Sequence, residues 1–171
     1  MRKLTILFAL LTLSVGLWAE TQTVSYRYPV YNTPDEPASG IKDWQTGSVE
    51  ATVVENATDA VTWNAGWYVV TGTDVTLSNG AVCNGAVHLI LADGAKLTAT
   101  GPTTYAGIQV SGNGNSLTIY ASSTSVQSGQ LIAKGGQGGA GIGGGNEMDG
   151  SNITINGGSI TANGVNGAAG I

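Results

Sequence analysis

Five aromatic side chains in the middle of the chain, Trp63, Trp67, Tyr68, Tyr105 and Tyr120, are the residues best suited by type to touch a ligand. A flat aromatic face stacks on a sugar ring without needing charge, and Trp and Tyr add a polar rim. Three of the five fall within WNAGWYVV (63–70), a density that also suits a cap over the open end of a hydrophobic core. A second kind of chemistry is offered by NEMDGSN (146–152), where Glu147 and Asp149 stand two apart with Asn146 and Asn152 beside them. Ca2+ is the cation such a loop would take, because a hard ion needs several oxygen ligands, carboxylates among them. A solvated turn in which Asp149 and Asn152 cap their own backbone explains the same residues.

Other motifs carry less. GQGGAG (136–141) matches G-x-G-x-x-G, but GIGGGNEMDG follows where a dinucleotide site requires a helix. GGQGGAGIG (135–143) has the glycines of the calcium-binding nonapeptide, with Ala140 where the aspartate ligand belongs. Lyase chemistry needs clustered carboxylates and a basic residue, yet no arginine follows Arg27 and the lysines after it are Lys42, Lys96 and Lys134. Glycoside hydrolysis needs two carboxyl groups roughly 5–9.5 Å apart. Between residues 60 and 171 the only acids are Asp74, Asp93, Glu147 and Asp149, and Asp93 reads as a turn residue before Gly94. His88 alternates with Val87 and Leu89, which directs it outward, with no Ser, Cys or Asp placed to partner it. No catalytic residue is assigned and no enzyme is expected.

The elements that must position these residues are announced by the chain's beginning and by its repeats. Arg2 and Lys3 precede an apolar run from Leu4 to Leu17, with small Ala19 before Glu20, the pattern of a secretory signal peptide over 1–19. This implies export to the medium or the cell surface, and no other stretch approaches the about 20 apolar residues of a membrane span. Removing 1–19 takes two of the six Lys and Arg and none of the eleven Asp and Glu, leaving four cations against eleven anions, a net charge of −7. Nucleic acid is a poor partner for such a surface. Cys83 is the single cysteine, so no internal disulfide forms, and it reads as a small apolar residue in a strand.

Residues 20–48 hold three of the four prolines and read as an extended arm or cap. From about Val49 to Ile171 the texture becomes short β-branched runs punctuated by glycine, of which the chain has 27, roughly twice the usual share. GQLIAKGGQGGAGI (129–142) aligns on GSITANGVNGAAGI (158–171) at seven of fourteen positions. Three strand types recur in order. The first carries Leu89/Leu91, Leu117/Ile119 and Ile153/Ile155; the second Leu97/Ala99, Leu131/Ala133 and Ile160/Ala162; the third Ile108, Ile142 and Ile171. Equivalent positions recur every 28–36 residues, with no helical segment between them. The expectation is an all-β chain: a right-handed parallel β-helix, a solenoid with three strands per coil and about three coils, behind an N-terminal cap. The last AGI triplet stops where the preceding copy runs on, so a longer array with downstream repeats or domains is expected.

WNAGWYVV (63–70), VHLILADGAKLTA (87–99), GIQVSGNGNSLTIYASS (107–123) and GAGIGGGNEMDGSNITINGGSITANG (139–164) together resemble secreted β-helix proteins of gut Bacteroidetes and Firmicutes, related to carbohydrate-binding β-helix domains. The resemblance covers residues 48–171 and implies a secreted or surface-exposed role with a polysaccharide or host glycan as partner. It transfers no catalytic residue. The function expected is therefore non-catalytic glycan binding or adhesion. A structural stalk or spacer is the alternative, and a polysaccharide lyase or glycoside hydrolase is the least favoured.

Overall fold

The computed structural model describes residues 19–31, 40–123 and 128–171. Most of the expected leader, together with Pro34 and Pro37, lies outside them. Every regular element among the described residues is a strand, so the fold is all-β. Two long strands, β1 (Thr21–Tyr31) and β2 (Ile41–Val53), pair antiparallel, and every other pairing between strands is parallel. The sheet containing β1 and β2 is accordingly mixed. The segment read as an extended arm is a strand hairpin, and β2 continues through residue 48 into the repeats.

Two further long strands, β3 (Val61–Val70) and β5 (Ala81–Leu91), each serve two ladders, because each bends in the middle. The bends fall at Asn64–Gly66 and around Gly85, where Gly85 takes a left-handed φ of 94° that a side chain would resist. Asn84 Nδ2 donates to Asn64 Oδ1 at 2.9 Å, stacking one corner on the next. The remaining strands are short: β4 (Val75–Leu77), β6 (Lys96–Thr100), β7 (Ile108–Gln109), β8 (Ser116–Ala121), β9 (Gln130–Lys134), β10 (Ile142–Gly143), β11 (Ile153–Ile155) and β12 (Ser159–Asn163).

Three parallel ladders result. The first joins the end of β2 to the second halves of β3 and β5, then to β8 and β11. The second is the four-stranded sheet β4, β6, β9, β12. The third joins the first halves of β3 and β5 to β7 and β10. Period-two alternation turns one side of every ladder inward. There Val87, Leu89, Leu117 and Ile119 meet Leu97, Ala99, Leu131, Ala133, Ile108 and Ile142, all without solvent exposure. Burying each large member contributes roughly 1.5–3 kcal/mol.

The second strand type has the register read from its sequence, with Leu97, Leu131 and Ile160 aligned and Ala99, Ala133 and Ala162 aligned. Ile108 and Ile142 likewise pair. The first type is offset by two residues at one step: Leu117 lies opposite Val87 and Ile119 opposite Leu89, not opposite Leu89 and Leu91. Val87, Leu89 and Leu91 are all inward and apolar, so a two-residue slip keeps every face correct and periodicity alone cannot choose. Two earlier parallel pairings have shorter spacings than the repeat predicts, since Thr52 pairs with Tyr68 and Tyr68 with Leu89, 16 and 21 residues apart.

The AGI triplets have a steric cause. A Cβ on Gly107 would lie 2.7 Å from Lys134 N and 2.8 Å from Gly141 O, and one on Gly141 would lie 2.8 Å from Gly170 O. Neighbouring backbone segments approach too closely there for any side chain. Replacing Leu97 with alanine should cost about 2–5 kcal/mol of stability. Thr98→Ala on the outer side of the same strand should change it by no more than about 0.5 kcal/mol. Urea unfolding measures both, and equal losses would contradict the assignment of faces.

Candidate functional site

Strand parity separates the five aromatic candidates. Trp63 is 2% exposed and packs inside, 5.5 Å from the Tyr68 ring. Tyr68 packs against the same core, and its hydroxyl donates to Asn64 O at 3.1 Å. Burial raises the Tyr68 phenol above its usual range. Both pack on the shared core, so Trp63 offers no face to a ligand; on this point the stacking expectation is corrected. Cys83, opposite Trp63 in the register, is buried, and burial pushes its thiol up to about 12.

Trp67 and Tyr120 do lie together, with ring centroids 5.3 Å apart on the outer face of the first ladder. Two residues that were not singled out as contacts join them. His88 stacks on Trp67 at 4.3 Å and 17°, and its Nδ1 is 3.2 Å from the Tyr120 hydroxyl. Tyr26 of β1 lies 4.5 Å from Trp67 and 5.0 Å from Tyr120. The hairpin thus closes over this face, with Val24, Tyr26, Tyr28, Val49 and Ala51 packed on Val69, Ile90 and Tyr120. Gly47 faces Tyr26 across the hairpin, and a Cβ there would sit 2.6 Å from the ring, so the glycine makes room for the tyrosine to lie flat. Tyr120 is left only 8% exposed, and burial with Tyr26 beside it raises its phenol. The signal for the hairpin was present in the alternation Val24, Tyr26, Tyr28, Val30.

Tyr105 is 45% exposed and stands apart from that cluster. It borders a cleft of about 370 Å³ lined by Ala60, Asn79, Ala81, Val82, Pro102 and Ala106. An apolar floor, one exposed ring and one amide make a small pocket suited to a single ring-shaped polar ligand. Asn79 is anchored by its Nδ2 donating to Thr58 O at 2.7 Å.

The acidic loop is fully at the surface, with residues 146–150 exposed and Glu147 at a φ of 60°. Met148 N donates to Gly145 O and Asn146 N to Thr104 O, closing a turn against the neighbouring loop. Asn152 Nδ2 reaches across to Asn115 O at 3.2 Å instead of capping its own turn. Among the described residues no three His, Cys, Asp or Glu side chains gather as a metal-holding group. Asp93 sits in a turn, where its carboxylate accepts from Ser122 and Ser123. The G-x-G-x-x-G segment is a turn at Gly138, with strand β10 and no helix after it. No helix among the described residues is long and apolar enough to cross a membrane.

The chain matches no protein-family model, no curated protein and no solved structure.

Burial lowers the pKa of His88, the single histidine. As pH falls through about 6.5, the unfolded chain takes up the proton first, so stability is level above about pH 7 and declines until the folded pKa is passed. A proton NMR titration should place the His88 midpoint below 6.5, and His88→Gln should flatten that part of the stability curve. A midpoint at or above 6.5 would contradict the packed position.

Proposed function

We propose that this chain is an exported, non-catalytic β-helix that binds glycan at a cell surface or in the medium. In this reading the three parallel ladders are successive sides of right-handed coils, each visited once per turn. Supporting it are the leader pattern over 1–19, the close-packed AGI corners and the resemblance carried by residues 48–171. The carrying observation is the Tyr105 cleft, where an exposed ring borders a mostly apolar lining that includes the Asn79 amide. Sugar rings need that combination: an aromatic plane for their C–H faces and polar groups for their hydroxyls. Catalysis has no part in the proposal, because Asp74 is paired with Lys96, Asp93 is held by two serines, and Glu147 and Asp149 lie in an exposed loop. Ca2+ at that loop is likewise not needed for the reading.

A structural spacer is the second reading, and one observation favours it. Trp67, His88, Tyr120 and Tyr26 are engaged in docking the hairpin onto the first ladder, which is a stabilising use of aromatic surface. Glycan-array binding separates the two readings. The wild-type chain should retain at least one glycan, and Tyr105→Ala should lose about tenfold in affinity, near 1.4 kcal/mol, with its melting temperature unchanged. Trp63→Ala, in contrast, should lower stability by about 3–5 kcal/mol. Absence of binding to any glycan by the wild-type chain would leave the spacer.

A further inference from the structure

The outer face of the four-stranded sheet β4, β6, β9, β12 differs from the others. The first ladder is covered by the hairpin, whereas here Thr76, Thr98 and Ile132 are half-buried and Thr161 is exposed. Two polar rows flank this central one. Lys96, Gln130 and Ser159 lie in register on one side, and Thr100, Lys134 and Asn163 on the other. The first row lines a cleft of about 480 Å³ together with Thr73, Gly94, Ala95 and Ser128, so the cleft crosses three strands of the sheet, β6, β9 and β12. Its walls are hydroxyl, amide and ammonium groups repeating at the strand spacing of about 4.8 Å.

Charge distinguishes this face further. Both lysines that follow Lys42 lie on this sheet, in a chain whose net charge without its leader is −7. Asp74 is 3.4 Å from Lys96 in an exposed ion pair, the kind that contributes little and exchanges readily for another carboxylate. Lys134 has uncharged Thr100 and Asn163 as its cross-strand neighbours. Asp93, at the turn before β6, is held by Ser122 and Ser123. A hydroxyl-rich polymer laid across the rungs meets a hydrogen-bonding group at each step, and its carboxylates meet the two ammonium groups. A dense polyanion would be repelled by the acidic remainder of the surface.

We infer that this face binds an extended, weakly acidic polysaccharide, with hydroxyls on the Thr, Gln, Ser and Asn rows and carboxylates on Lys96 and Lys134. The inference rests on the glycan-binding reading and names its polymer class and a second contact face. Affinity electrophoresis of the full chain through gels containing glucuronate-bearing xylan, or the same xylan with its carboxyl groups reduced, tests it. Retardation should be stronger in the native polymer and weaken with added salt. Lys134→Gln and Lys96→Gln should each lower affinity about fivefold, while Lys42→Gln leaves it unchanged. Equal retardation in native and reduced xylan, or indifference to both sheet lysines, would overturn the inference. Binding of neutral glycans that depends on Tyr105 but on neither lysine would overturn it and leave the glycan reading standing. Failure to bind any glycan would remove both.

Discussion

Main-chain hydrogen bonding between parallel strands is the interaction on which everything else in this molecule depends. Gln130 N donates to Ala95 O and Ser159 N to Gly129 O in one column; Ile108 N donates to Gly141 O and Ile142 N to Gly170 O in another. Because these bonds hold the parallel strands in register, whatever side chain occupies a position is stacked on its counterpart in the next strand. An apolar residue therefore extends a buried column, and a polar residue extends an exposed row. A glycine at a crowded corner must be repeated at the next corner, as Gly107 and Gly141 are.

That constraint assigns separate work to the three ladders. Their inner sides share one core, so the apolar side of each ladder is buried by the other two. Their outer sides are free to differ. One carries the aromatic and aliphatic residues that hold the β1–β2 hairpin, a second core built from Tyr26, Trp67, Ile90 and Tyr120 among others. Another keeps hydroxyl, amide and ammonium groups at the surface across four rungs. The third contributes residues to the cleft beside Tyr105. Glycan binding, as proposed, uses the latter two surfaces and leaves the aromatic cluster to stability.

Much of this architecture was legible in the residues, for identifiable reasons. The second ladder could be aligned because Leu97, Leu131 and Ile160 are each followed two positions later by alanine, a large–small pair that permits one register. The first ladder could not, because Val87, Leu89 and Leu91 are three interchangeable inward residues and only the turn geometry selects among them. The first two parallel pairings carry no repeat signal, since they span 16 and 21 residues instead of 28–36, with bends inside β3 and β5 in place of loops. The site was harder still. Trp63, Trp67 and Tyr68 sit within six residues, yet strand parity sends Trp67 outward and Tyr68 inward, while the bend at Gly66 returns Trp63 to the core. Burial by Tyr26 from a distant hairpin left no local mark on Tyr120.

Cross-linking between rungs tests the central claim, parallel in-register stacking, most directly. In the Thr98→Cys/Ile132→Cys double variant, with Cys83 left buried, the two new thiols face outward on directly opposed residues. Strands about 4.8 Å apart place such a pair within the span of a disulfide. Mild oxidation should close that bond in nearly every molecule, with Thr98→Cys/Lys134→Cys remaining reduced under the same conditions. Closure of the offset pair in preference to the opposed one, or of neither, would contradict the register from which the buried columns and the exposed rows both follow.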